Sequence, residues 1–349
     1  MQVGGVSAHV RNISERLAKR HDVTVFATND KGLEPWNEKI NGVKVRRFRC
    51  YAPNNAYMFT VDMPLQMRKE TFDIVHAHGY HAFPMHLSTL AKGNRFIVTP
   101  HFHGAGHSPF RNALVTLLKP FGKRTLRKAD AVVAVSNFEK SLICRELGLN
   151  SSKVQVIPNG VDFSEFANLK KHDQGHRSML YVGYLAAFKG VQYLVEVLPK
   201  LPKDVVLQIV GRGPMKPLMQ KRASELGVSD RVNFHGNVPR NELLQMYADA
   251  DVFAVLSKYE AYSIVVAEAL TAGTPCIVAN ASALGEWIDD KSCFGVNLPV
   301  NLNELAKLIN SVMDNRIDRR ALMKWRGTKI LDWNEVTARL ETVYSRQNE

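Results

Sequence analysis

Short runs of apolar, largely β-branched residues recur along the chain with helical patterns between them, and this alternation constrains the fold more than any other feature. One series comprises Val23 to Ala27, Asp73 to His76, Phe96 to Thr99, Ala131 to Val135 and Val154 to Ile157. A second comprises Met179 to Val182, Val205 to Val210, Val232 to Phe234, Val252 to Leu256 and Cys276 to Ala279. Nearly continuous apolar runs suit strands covered on both faces, and strands separated by helices build parallel sheets. The chain therefore reads as α/β, with two successive doubly wound, Rossmann-like domains.

A length of 349 residues fits two domains. Between the two series lies a polar segment, Ala167 to Arg177, without apolar periodicity. It divides the sequence into an N-terminal domain at 1–166, a linker at 167–177 and a C-terminal domain at 178–332. Two such domains leave a cleft, and open parallel sheets bind ligands at the carboxyl ends of their strands. At the N-terminus, Gly4-Gly5 stands directly before an amphipathic helix carrying Val6, Val10, Ile13 and Leu17. The strand that normally leads into such a glycine-rich turn has no residues to form it, so the first strand reads as missing.

Hydrophobic residues at 45% and charged residues at 23% exclude disordered and low-complexity classes. Cys50, Cys144, Cys276 and Cys293 form no CxxC pair, which argues against a zinc ribbon or disulfide framework and for reduced thiols. No apolar stretch of about 18 residues and no leader pattern is present, so a soluble, cytoplasmic chain is expected. The net charge of +13 favours anionic partners. Nucleic acid is not expected among them, because no aromatic-rich basic strand or zinc finger accompanies the charge.

The segment from Lys258 to Thr274 carries the most chemistry. It reads as a loop from Ser257 to Tyr262 and a helix from Ile264 to Leu270 that stops at Gly273 before Pro275. Glu260 precedes the helix and Glu268 lies inside it. Free N–H groups at the helix start suit ligand oxygens, and two separated carboxylates suit hydroxyls such as those of a sugar. Taken singly, each glutamate reads equally as a solvated carboxylate.

With its two glutamates this segment resembles the signature of the retaining glycosyltransferases of family four, which have the GT-B fold of two Rossmann-like domains facing across a cleft. Further segments stand in the same order: Gly4 to Val10, Thr99 to Gly104, Val135-Ser136, Pro158 to Asp162, Tyr181 to Gly183 with Lys189-Gly190, and Ala250 to Phe253. The resemblance implies transfer of a hexose-type sugar from a nucleoside diphosphate sugar, which is substrate rather than cofactor, to a glycan, lipid-linked or small-molecule acceptor. It implies that Lys189 neutralises the departing diphosphate, that Glu260 and the amides after it, at Tyr262, Ser263 and Ile264, contact the donor sugar, and that His101 reaches that sugar. It places Glu268 on the ribose and Gly5 and Gly183 against the donor. Donor binding falls mainly to the second domain and acceptor binding to the first. The C-terminal stretch 333–349 is expected to return to the N-terminal domain.

No metal is expected. His101, His103 and His107 are close in sequence, but they sit in a glycine-containing loop with no neighbouring Cys or carboxylate, and a sugar-contacting loop is the better reading. Asp249 and Asp251 match a DxD pattern only formally, where a helix gives way to a strand. The chain departs from the family pattern at Tyr184, where an Arg is common, at Ser263, where a Gly is common, and at Leu256, where a Pro is common. Tyr184 and the missing strand motivate a rival reading, a non-catalytic GT-B scaffold that binds nucleotide sugar or glycan. Finally, Phe110 to Lys128 interleaves leucines with Arg and Lys. It reads either as a peripheral contact with anionic lipid at the inner face of the membrane or as a solvated helix with core-facing leucines.

Overall fold

The computed structural model describes residues 4–29, 35–51, 60–104, 106, 109–315 and 325–346. The chain forms two compact units, one made of residues 1–160 with 333–349 and the other of 161–332. The division thus falls at Gly160/Val161, inside the two-residue strand β8 (Gly160–Val161), rather than within 167–177. Asp249 and Asp251 explain why the polar segment belongs to the second unit. Asp249 accepts from the His172 backbone N–H at 2.8 Å, while Asp251 pairs with Lys171 and accepts from the Ser178 N–H at 2.8 Å. Both carboxylates of the DxD pattern are thereby engaged within the protein.

In the first unit, α1 (Gly5–Leu17) is the first element, and no strand precedes it among the described residues. The strands of this unit form two separate sheets. One has the order β1-β3-β2, from β1 (Thr24–Thr28), β2 (Trp36–Ile40) and β3 (Val43–Phe48). The other runs β4-β5-β6-β7, from β4 (Thr71–His78), β5 (Lys92–Thr99), β6 (Ala131–Ala134) and β7 (Val154–Val156), all parallel. In a doubly wound sheet the first strand would lie between these two edges, beside β1 and β4. The β2–β3 hairpin turns at Asn41-Gly42, both with positive φ (48° and 88°), the conformation that an Asn-Gly pair adopts readily. Helices α2 (Asp62–Lys69), α3 (Phe83–Leu87), α4 (Pro109–Lys128) and α5 (Asn137–Leu147) connect the strands. The core between β4–β6 and the helices holds Met85, Val98, Phe102, Leu126, Val132 and Ile143.

The second unit holds one fully parallel sheet of order β11-β10-β9-β12-β13-β14. Its strands are β9 (Arg177–Val182), β10 (Val205–Val210), β11 (Val232–Gly236), β12 (Val252–Val255), β13 (Cys276–Ala279) and β14 (Cys293–Val296). This is the doubly wound order, and the winding direction reverses between β9 and β12. Apolar burial drives it: Met179, Leu180, Leu207, Ile209, Phe253 and Ile277 are all fully buried. The connecting helices are α6 (Val191–Val197), α7 (Lys216–Glu225), α8 (Arg240–Asp249), α9 (Ile264–Thr271) and α10 (Leu302–Asp314). The last helix, α11 (Trp333–Ser345), packs on α1 in the first unit, where Arg20 pairs with Glu341 at 2.5 Å.

Candidate functional site

At the switch point of the second unit, the loops leaving the carboxyl ends of β9 and β12 are held together by backbone contacts. Lys258 N–H donates to the Phe188 carbonyl at 2.8 Å. Gly190 has φ +73°, and a Cβ there would fall 2.2 Å from the Leu256 carbonyl oxygen, so only glycine lets the two loops approach this closely. The consequence is a contact between two residues 71 positions apart: Lys189 Nζ donates to Glu260 Oε1 at 2.6 Å, with both side chains largely shielded from solvent. Glu260 is fixed further by its own backbone N–H, which donates to Ser282 Oγ at 3.0 Å.

Glu268 lies on the buried face of α9, and both of its oxygens are engaged. Arg240 Nη1 donates to Oε1 at 2.6 Å and Tyr247 O–H donates to Oε2 at 3.0 Å, while Arg240 Nη2 donates to Glu165 at 2.6 Å. Burial raises the Glu268 carboxyl above its usual range, opposed by the adjacent Arg240 and the Tyr247 hydroxyl. A carboxylate has about four acceptor positions, so two remain for a ligand. Arg240 and Tyr247 were not legible as site residues: both sit on α8, far from the glutamate signature, and no local motif marks them.

Ser263 stands at the N-cap of α9 with φ +78°, a left-handed conformation that costs an L-residue, and its buried hydroxyl has no hydrogen-bond partner among the described residues. The geometry explains why glycine is common here. The Tyr262 ring is in the core: its hydroxyl donates to the Lys329 carbonyl at 3.2 Å and its carbonyl accepts from Trp287 Nε1 at 2.8 Å. A ligand can meet Tyr262 only through its backbone. Gly183 directly follows β9 with φ +158°, and the next residue, Tyr184, is 45% exposed. Of the residues named from sequence, Gly183, Lys189, Glu260, Tyr262, Ser263, Ile264 and Glu268 lie on the three segments around this switch point. In contrast, a Cβ on Gly5 would meet nothing within 4 Å, so no atom of the chain itself requires glycine there.

The first unit brings His101 to residues other than those its sequence neighbourhood suggested. His103 stacks on His81 at 4.8 Å, and His107 lies outside the described residues. His101 itself has φ +50° and sits 4.9 Å from the ring of His9 on α1 and 5.8 Å from that of His78 at the end of β4. Its loop is pinned by the capping carboxylate of α5: Glu139 accepts from the Phe102 N–H at 2.5 Å and from the Val135 N–H at 2.7 Å. Ser136 in turn caps α5 through the Glu139 N–H. Burial pushes the Glu139 carboxyl up to about 8, against the pull of those two backbone donors. Burial also keeps His9, His76, His78 and His101 neutral, with His9 lowered to about 4 and His76 to about 3.

An open doubly wound sheet takes ligands in the crevice at the carboxyl ends of its strands, at the switch point where Lys189 and Glu260 meet. The sequence profile described as Glycosyltransferase Family 4 matches residues 3–165, and that described as Glycosyl transferases group 1 matches residues 162–329. The chain belongs to the family-four glycosyltransferases. It is 26% identical to an MMP alpha-(1->4)-mannosyltransferase of Mycolicibacterium hassiacum, over 98% of this chain and 95% of that one. It is 28% identical to a GDP-mannose-dependent alpha-(1-6)-phosphatidylinositol monomannoside mannosyltransferase of Mycolicibacterium smegmatis, over 82% and 80%. Among solved structures, Anabaena Alr3699/HepE in complex with UDP-glucose aligns with a TM-score of 0.75 at 18% identity, covering 99% of this chain and 97% of that one. These likenesses establish the GT-B fold of two Rossmann-like domains. No helix among the described residues is long and apolar enough to cross a membrane.

Proposed function

We propose that the chain moves a hexose-type sugar from a nucleoside diphosphate sugar to a glycan, lipid-linked or small-molecule acceptor, with retention of configuration and without a catalytic metal. The observation that carries this reading is the Lys189–Glu260 pair at the switch point, joined there by the start of α9. In such a transfer, negative charge grows on the leaving diphosphate. A cation and helix-terminal N–H groups already in place stabilise that charge without reorganising. Lys189 supplies the cation, the amides at Ser263 and Ile264 supply donors, and Glu260 holds the sugar. Glu268 takes the ribose hydroxyls with its remaining acceptor positions, and His101 contributes a neutral imidazole toward the sugar. The two relatives are named for mannosyl transfer, and one of them for GDP-mannose, which supports a nucleotide-sugar donor.

On the acceptor side, α4 presents Leu117 and Phe121, 70% and 63% exposed, alongside the exposed cations Arg124 and Lys128. An amphipathic surface of that kind suits the anionic inner face of a membrane, where a lipid-linked acceptor would lie. The test is a panel of nucleoside diphosphate sugars added to the purified chain, read by thermal stabilisation and by release of nucleoside diphosphate. A true donor at 100 times its dissociation constant adds about 2.7 kcal/mol. Stabilisation with no release on any acceptor, together with release by Tyr184→Arg, would favour the scaffold reading instead.

A further inference from the structure

We propose that His9, His78 and His101, which the fold gathers from α1, the end of β4 and the loop after β5, form a binding site for one divalent transition-metal ion of the zinc class. One ring nitrogen from each of the three lies within 4.8 Å of the others. Each ring also has a buried nitrogen, His9 Nε2, His78 Nδ1 and His101 Nε2, with no hydrogen-bond partner among the described residues. An orphaned buried polar atom is costly, and three at one place call for a shared partner.

The surrounding residues fit a metal better than a chance cluster. His9 is only 1% exposed, and its Nδ1 lies 2.7 Å from Asn159 Oδ1. An amide oxygen can only accept, so Nδ1 carries the proton and Nε2 keeps its lone pair. This is the outer hydrogen bond that orients a metal-binding imidazole and fixes its tautomer. His76, though its ring is 4.1 Å from that of His78, is excluded because both of its nitrogens are engaged, by Tyr344 O–H at 2.7 Å and by Thr99 Oγ1 at 2.8 Å.

The chemistry of the donor set chooses the ion. Three imidazoles and no carboxylate suit Zn²⁺, Co²⁺, Ni²⁺ or Cu²⁺, whereas Mg²⁺, Ca²⁺ and Mn²⁺ prefer oxygen. Zinc bonds of about 2.0–2.1 Å place tetrahedral ligand atoms about 3.4 Å apart, so no pair of ligand atoms has to close by more than about 1.4 Å from its present separation of 4.8 Å or less. Three protein ligands leave one position for water or another oxygen. The site does not depend on the donor reading above, but it takes the same His101 imidazole, so an ion bound there opposes sugar transfer.

The test is calorimetric titration of the chelator-stripped full chain with Zn²⁺, repeated with Co²⁺ and read by its visible absorption. The expected result is about one equivalent bound, with the intense Co²⁺ spectrum of a tetrahedral site and no response to Mg²⁺. His78→Ala and His9→Gln should lose that binding and spectrum, His103→Gln should keep both, and Asn159→Ala should weaken binding about 10- to 100-fold. Circular dichroism checks that each variant is folded. If His9→Gln fails to fold, His78→Ala and the wild-type Co²⁺ spectrum decide. Absence of Zn²⁺ binding to wild type, or undiminished binding in His78→Ala, overturns the proposal. The second outcome would place the ion at a surface histidine such as His172.

Discussion

The Lys189 ammonium and the Glu260 carboxylate face each other at 2.6 Å across two loops that leave non-adjacent turns of the chain but adjacent strands of the sheet. Each holds the other in place before any ligand arrives. A donor would find the cation preorganised and would have to share it with the glutamate.

Lys189→Ala should lower turnover about 10²- to 10³-fold, the usual cost of removing a preorganised donor to a developing anion. Donor affinity should change much less. Tyr184 cannot carry positive charge where a second cation is common in the family pattern, so Tyr184→Arg should leave turnover equal or higher. Initial transfer rates of the two single variants and the double variant check both statements.

Glu268→Ala should weaken nucleotide binding about 10- to 150-fold, from a charged hydrogen bond of roughly 1.5–3 kcal/mol. It also strips Arg240 and Tyr247 of their shared partner. Titration calorimetry with nucleoside diphosphate alone separates this loss from any effect on the sugar.

Ser263→Gly should stabilise the second unit by about 0.5–1 kcal/mol. It releases a left-handed conformation worth about 1–2 kcal/mol and removes an unpaired buried hydroxyl, against a glycine entropy cost of about 0.5–1 kcal/mol. Denaturant melting of both proteins gives the difference. A less stable Ser263→Gly would mean that the hydroxyl has a partner in solution.

Transfer should persist in excess EDTA, because leaving-group charge is assigned to Lys189 and the α9 amides. Activity lost on chelation and restored by a divalent ion would refute this assignment.

The contribution of Glu139 to stability should fall as pH rises from about 4.5 to about 8, opposite in sign to that of His9, His76, His78 and His101, which are neutral in the folded chain and protonate below about 6.5 once unfolded. Glu139 titrates near 8 when folded against an ordinary 4.5, so over that window the folded chain holds one proton more than the unfolded chain. The slope from this group is up to about 1.4 kcal/mol per pH unit. Glu139→Gln, which has no proton to release, should lack that contribution in melts across the same window.

Strands β6, β9, β12 and β13, buried along almost their whole length, announced themselves as apolar runs, and β4, β5, β7, β10 and β11 did so through shorter β-branched stretches. The β2–β3 hairpin was missed because charged residues, Glu38, Lys39, Lys44 and Arg46, interrupt the apolar runs of its strands; the Asn41-Gly42 pair was the available signal. Glu260 in its loop and Glu268 on α9 were legible because their chemistry is local in sequence. The histidine cluster was not: His9, His78 and His101 meet only through the packing of α1 against the ends of β4 and β5. Adjacency in sequence pointed instead to His103, which the loop turns toward His81. Nor does any sequence signal reveal that Asp249 and Asp251 draw the polar segment 167–177 into the second unit.

The first unit closes on itself through its two distant ends. Gly160 accepts the Trp333 side chain so closely that a Cβ would fall 2.7 Å from the indole, and Trp333 lies 5.5 Å from the His9 ring. During synthesis this inverts the order of completion. The second unit has all its residues once Asp332 is made, whereas α1 still lacks the helix that covers it. The half begun first on the ribosome is therefore the half finished last, and until then α1 has no α11 to pack against.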